Sequence, residues 1–278
     1  MHNRTISEQM NLEGRVSIIT GGCGLMGTHH AASLAELGSN IVLLDVNSTK
    51  LESQASTLSK HQGIECIGLN VDITNLKSVE TAREEILNRF GRIDVLVNNA
   101  ANNPAVSEDG LETPSRLENL PQDAWESDIA VGLTGAYYCS RIFGTEMSKQ
   151  GSGSIINIAS DLALIAPDQR LYQVPGREPE EQPVKPVTYS VVKAGLVGLT
   201  RYLATYWSSQ GVRANALVPG GIQTNQPEVF LDRISDLIPL GRMAAPDEYR
   251  SAIAFLASDA SSYMTGATLV MDGGRTCW

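Results

Sequence analysis

Short runs of aliphatic and β-branched residues alternate along this chain with longer stretches of helical periodicity. Residues 16–19 (VSII) read as a buried strand, followed by a glycine turn and a helix over about 25–37 that Gly38 ends. Strand 41–44 (IVLL) follows, Ser48 caps a helix to about residue 60, and 64–69 gives a third strand. A helix over 79–90 stops at Gly91, and 94–97 is a fourth strand. The second half repeats the scheme: a helix over about 122–147, strand 154–158, a long helix over 189–208 and strand 213–217. Helices around 229–237 and 247–256 precede a last strand at 268–271. Strands alternating with helices predict a parallel sheet covered on both faces, because each crossover helix must pack back against it. Seven strands in one series predict one doubly wound α/β domain over residues 1–278.

One segment breaks the rhythm. Pro167, Pro175, Pro179, Pro183 and Pro186 are five of the twelve prolines, and proline suits neither a helix interior nor a central strand. Residues 166–187 therefore read as a proline-rich insert, a candidate lid beside the site.

With 278 residues, 42% of them hydrophobic, the chain can bury one large core. The formal net charge is −10, with no basic block, which argues against partners such as nucleic acid or an anionic membrane. No apolar run is long enough to span a bilayer, and the N-terminal stretch has no apolar core of a secretory signal. Cys23, Cys66, Cys139 and Cys277 form no disulfide framework, so the expected setting is cytoplasmic. His2, His29, His30 and His61 show no ligand spacing, and no metal is expected.

The candidate chemistry begins where the first strand runs into TGGCGLMG. Gly21, Gly24 and Gly27 would permit a tight turn, close approach of a pyrophosphate and close helix packing, with Leu25 and Met26 opening the helix. An ordinary βα turn is the plainer reading; its place after the first strand of an alternating series favours a Rossmann-type dinucleotide site. Asp45 ends the second strand, where a carboxylate can accept both hydroxyls of an adenosine ribose and repel a 2′-phosphate. A solvated acid or a helix cap is the other reading. Neither Val46 nor Asn47 supplies the arginine a phosphate would want, so NAD is expected over NADP.

Tyr189 and Lys193 stand at i and i+4, one above the other on a helix face. An ammonium beside a phenol is expected to lower the tyrosine pKa and give a proton donor or acceptor for a carbonyl/alcohol pair.

Taken in order, TGGCGLMG, Asp72 in NVDI, NNAA at 98–101, Ser160 in NIAS, YSVVK, PGGIQT at 219–224 and DGG at 272–274 resemble the short-chain dehydrogenase/reductase family over essentially the whole chain. The resemblance implies a catalytic trio in which Ser160 hydrogen-bonds the reacting oxygen, Tyr189 exchanges its proton, and Lys193 also binds the nicotinamide ribose. It implies that Asp72 and Ile73 flank the adenine, that Asn98 steadies the fourth strand, and that Asn99 and Ala100 line the cleft. Pro219, Gly220, Ile222 and Thr224 would hold the carboxamide end. It also implies a homo-oligomer, a dimer or tetramer joined through the two long helices.

Two departures bear on function. The glycine spacing resembles the family's longer, sugar-nucleotide-modifying members, whereas the other motifs resemble its shorter dehydrogenases. Gly132 in AVGLTG stands where the shorter members usually carry a relay asparagine, so Asn102, Asn103 or water must substitute, or turnover is slower. The expected function is NAD-dependent interconversion of a secondary alcohol and a ketone on a small polar, sugar-like molecule. Gly132 also permits a catalytically weak cofactor-binding regulatory or scaffold protein. Arg170, near the base of the insert, reads either as a substrate-binding guanidinium or as one half of an ordinary surface ion pair.

Overall fold

A computed structural model describes residues 4–102, 106–107, 110–111 and 115–278. Strand β1 (Val16–Thr20) is buried at every position, as a strand covered on both faces must be. It pairs in parallel with β2 (Asn40–Asp45) on one side and β4 (Val95–Asn98) on the other. With β3 (Cys66–Asn70), β7 (Gly153–Ile158), β8 (Val212–Pro219) and β9 (Thr268–Met271) the sheet runs β3-β2-β1-β4-β7-β8-β9, all parallel. The two-residue strands β5 (Val106–Ser107) and β6 (Gly110–Leu111) pair separately as a hairpin.

Alternation along the strands divides the core. Ile19, Ile41, Leu43, Val95 and Val97 face helices α2 (Leu25–Glu36), α3 (Ser48–Gln62) and α9 (Arg250–Ala257). Ile18, Val42, Leu44 and Leu96 face α4 (Leu76–Phe90), α6 (Gly135–Gln150) and α7 (Val187–Tyr206). Asn47 and Asn75 cap α3 and α4 through side-chain oxygens that accept from Lys50 N, and from Lys77 N and Ser78 N. A five-residue helix α1 (Ile6–Met10) precedes the sheet, held by a Thr5/Glu8 capping box. Among the described residues no helix is long and apolar enough to cross a membrane.

Three expected elements differ in detail. The third strand starts at Cys66, since Gly63 in left-handed conformation ends α3 and the chain needs two residues to turn into the sheet. The helix expected over 122–147 divides into α5 (Gln122–Ile129) and α6, joined by a π-helical turn over Ala130–Thr134. The insert carries 3₁₀ turns at Gln169–Tyr172 and Pro179–Glu181, and packs Leu171 and Tyr172 against Phe230 and Ile234 of α8 (Glu228–Ser235). Arg233 on α8 donates to the backbone carbonyls of Arg170 (3.2 Å) and Gln173 (2.7 Å), fastening the insert to that helix. Sheet order reverses at β1/β4, so the crevice at the strands' C-terminal ends opens there.

Candidate active site

That crevice is a cleft of about 920 Å³. At one end β1 passes into α2 through the glycine turn. Gly21, Gly24, Leu25 and Met26 line the cleft, while Gly27 stands against the Gly21 carbonyl and Gly22 Cα, where a side chain would not fit. The turn is held from both sides. Asp45 Oδ2 accepts from Cys23 N (2.9 Å) and its Oδ1 from Asn47 N (2.9 Å), which fixes the carboxylate on the cleft rim. Asn99 Nδ2 donates to the Thr20 (3.0 Å) and Gly21 (3.2 Å) carbonyls, and Asn99 N and Ala100 N donate to Thr20 Oγ1.

Asp72 and Ile73 form the adjoining wall, where Asp72 Oδ1 accepts from Thr74 N and Oγ1. Pro219, Gly220, Ile222 and Thr224 continue it beyond β8. Asn98 lies behind this surface, donating to Ser140 Oγ (3.0 Å) and Asn157 Oδ1 (2.8 Å) and so tying β4 to α6 and β7. A helix N-terminus with backbone N–H groups, a close-approach glycine turn and a carboxylate at the second strand's end fit a dinucleotide.

At the other end Ser160 follows β7, and Tyr189 and Lys193 project from the first turns of α7 into the same cleft. The Ser160 hydroxyl donates to Asp161 Oδ1 (2.7 Å) and shares the cleft with the Tyr189 phenol. Lys193 Nζ donates to the Ile158 carbonyl (2.8 Å) and lies 5.6 Å from the Tyr189 ring centroid. The expected depression of the tyrosine pKa is not what this geometry gives. Desolvation pushes Tyr189 up to about 12 despite the Ser160 hydroxyl nearby, and pushes Lys193 down to about 8, with Lys185 repelling its charge further. Burial outweighs the ammonium because it penalises both charged forms.

Several groups at this end were not anticipated. Lys185, four positions before Tyr189, is buried with Nζ 4.0 Å from the Tyr189 ring centroid. Burial lowers it to about 8 against the pull of Asp161 and Asp128. Asp161 and Arg275 form a buried ion pair on the cleft wall (Nε to Oδ2 3.3 Å). Their adjacency to Ser160 and to the DGG motif was the available signal.

Gly132 borders a void of about 10 Å³, room for about one water, lined also by Asn102, Asp128, Thr188, Tyr189 and Lys193. Asn102 Nδ2 donates to Asp128 Oδ1 (3.0 Å), and Thr188 Oγ1 donates to Asp128 Oδ2. Asn103 lies outside the described residues. Arg170 departs from its substrate-binding reading. It is exposed, does not line the cleft, and is forked onto Asp168 (Nε to Oδ1 2.9 Å, Nη2 to Oδ2 2.6 Å), because the 3₁₀ turn that Asp168 caps points it outward. Among the described residues no group of three or more metal-ligating side chains comes together.

A family profile described as short chain dehydrogenase matches residues 15–172, and one described as enoyl-(acyl carrier protein) reductase matches residues 180–276. The chain is 32% identical to a D-threitol dehydrogenase of Mycolicibacterium smegmatis, over 98% of this chain and 96% of that one. It is 30% identical to an NAD-dependent glycerol dehydrogenase of Listeria innocua, over 97% and 96%. The crystal structure of an NADPH-dependent 3-quinuclidinone reductase from Rhodotorula rubra superposes with a TM-score of 0.85 at 28% identity, covering 100% of this chain and 97% of that one. The ordered motifs, the seven-stranded parallel sheet and these matches together place the chain in the short-chain dehydrogenase/reductase family of oxidoreductases.

Proposed function

We propose that this oxidoreductase uses NAD in preference to NADP to interconvert a secondary alcohol and a ketone on a small polar, sugar-like molecule. The observation that carries the reading is a single cleft with the Asp45 carboxylate at one end and Ser160, Tyr189 and Lys193 together at the other. The cofactor supplies the acceptor or donor of hydride. Gly21, Gly24, Leu25 and Met26 would cradle its phosphates, Asp45 its adenosine ribose and Lys193 its other ribose. Ser160 orients the substrate oxygen, and in reduction the protonated Tyr189 phenol donates its proton to the carbonyl oxygen as hydride reaches the carbon, the reverse transfer serving oxidation.

Self-association of the chain, as a dimer or tetramer through α6 and α7, accords with Tyr137, Tyr202 and Tyr206 lying exposed on those helices. Four free thiols suit the reducing cytoplasm.

Cofactor choice is tested by titrating the purified protein with NADH and NADPH and following fluorescence. A carboxylate facing a phosphate should weaken NADPH by on the order of thirtyfold, about 2 kcal/mol. Asp45→Ala should narrow the gap. Equal or tighter NADPH binding by the unmodified protein overturns the preference, and absence of turnover with every alcohol and ketone in a broad panel overturns the enzyme in favour of a binding or scaffold protein.

A further inference from the structure

We infer that the substrate carries a second hydroxyl on the carbon next to the reacting one, and that the ion pair Asp161–Arg275 reads it. The inference rests on the alcohol dehydrogenase reading above and names its substrate class as a vicinal diol. Asp161 follows Ser160 directly. Its Oδ1 accepts from Ser160 Oγ (2.7 Å) and from Leu162 N (2.9 Å), which locks the carboxylate beside the reacting centre.

The other half of the pair comes from the C-terminal end of the chain. Gly273 (φ 68°) and Gly274 (φ 91°) take left-handed conformations, and Asp272 accepts from Gly274 N (2.9 Å) and Thr276 N (2.7 Å). This turn delivers Arg275 to the cleft, where its Nε stands 3.3 Å from Asp161 Oδ2 with the two side chains only 6% and 8% exposed.

Such a pair is a poor way to stabilise a fold, since well-packed apolar residues of similar size do as well or better. Tyr172, Phe230, Ile234 and Met243 pack together on the same cleft, and the buried Lys185 also faces Asp161. The pair presents acceptor and donor side by side, which complements a hydroxyl, itself both donor and acceptor. Two oxygens on adjacent carbons lie about a hydrogen-bond length apart, as Ser160 Oγ and Asp161 Oδ1 do. With Ser160 on the reacting oxygen, its neighbour meets the carboxylate and guanidinium. The reaction balances as vicinal diol plus NAD⁺ giving α-hydroxyketone, NADH and a proton, the proton leaving through Tyr189.

A monohydric alcohol of the same shape would press a CH₂ against the pair and leave it unmatched. Sites built around a substrate hydroxyl reject the analogue lacking it by as much as about 10⁴–10⁵-fold.

The experiment compares 2,3-butanediol with 2-butanol under NAD⁺, and acetoin with butanone under NADH, by initial rates. Each pair differs only in the neighbouring hydroxyl. The expected kcat/KM ratio is at least about 10² in favour of the hydroxylated member. In Asp161→Asn/Arg275→Met, which removes both charges together, the ratio should fall below tenfold, whereas a merely structural pair would lower both rates alike and preserve it. Arg275→Lys, which keeps the charge and replaces the planar guanidinium with a compact ammonium, should lie between. A ratio near one in the unmodified protein, or an unchanged ratio in the double variant, overturns the inference and leaves the dehydrogenase reading standing. No turnover of any alcohol or ketone removes that reading and the inference with it.

Discussion

Gly132→Asn places a Cβ 2.5 Å from Val192 Cγ1, with Cγ2 at 3.4 Å and the Val192 Cβ at 3.5 Å. Val192 is buried on α7 and β-branched, so its χ1 is nearly fixed and the methyl cannot swing aside. Gly132 does not take a left-handed conformation, so space alone, not backbone angle, requires glycine here. Overpacking of this kind costs about 1–3 kcal/mol, and escaping glycine's poor helix propensity returns only a few tenths, since asparagine is itself a weak helix former. Val192→Ala removes two methyl-sized groups and should cost about 1–2 kcal/mol by itself.

Combined, the two changes relieve each other. The double variant should be more stable than the sum of the singles predicts, by about 1–3 kcal/mol. Urea unfolding of the four proteins measures that coupling. Additivity within about 0.5 kcal/mol would show that the two side chains do not compete for one space, and would refute the steric account of Gly132. The same double variant restores the relay asparagine that the family resemblance led one to expect, and its kcat should equal or exceed that of the unmodified chain.

Three further outcomes follow from the site. Tyr189→Phe should lower kcat by about 10²–10⁴-fold and leave NADH affinity within about twofold, since only the hydroxyl moves the proton; retention of a tenth of the rate would assign the acid elsewhere. Arg170→Ala should change KM by no more than about twofold, because an exposed ion pair contributes little; a tenfold rise would put the guanidinium on the substrate after all. Burial holds Lys185 near 8 when folded against 10.5 as the ordinary value, so between these the unfolded chain binds the extra proton and stability rises with pH. From pH 7 to pH 9 the unmodified chain should gain about 1 kcal/mol on Lys185→Met in urea unfolding, and a pH-independent difference would mean that Lys185 is not buried as described.

What the sequence disclosed and what it withheld divide by the range of the interactions involved. The cofactor end is assembled from contiguous signals. The glycine turn, Asp45 and the residues after β4 and β8 each sit at the end of a strand whose hydrophobic run is visible, and parallel pairing brings those ends to one edge. The π turn was hidden because Ala130–Thr134 keeps the helical pattern of its neighbours, and the close approach of Gly132 to Val192 joins two helices far apart in sequence. Arg170 was left between two readings for the converse reason. Its position in the insert was right for a substrate contact, but a carboxylate two residues away captured it, a local preference that loop composition does not reveal.

The tyrosine shows a similar limit in energy rather than geometry. Spacing alone put an ammonium beside a phenol and predicted an acidified tyrosine, yet the depth of the cleft raises Tyr189 and lowers both lysines. Desolvation depends on everything packed around a group, and no local motif encodes it. The Asp161–Arg275 pair joins both limits. Each partner sits beside a recognisable motif, but their meeting requires β7 and the C-terminal turn to converge, and their burial sets the selectivity proposed for them. The residues proposed to hold the cofactor can be read from strand ends, whereas the pair proposed to read the substrate is brought together from the end of β7 and the C-terminal turn. Substrate choice can therefore diverge between chains whose cofactor motifs are the same, and a family match of this strength does not carry the selectivity proposed for Asp161 and Arg275.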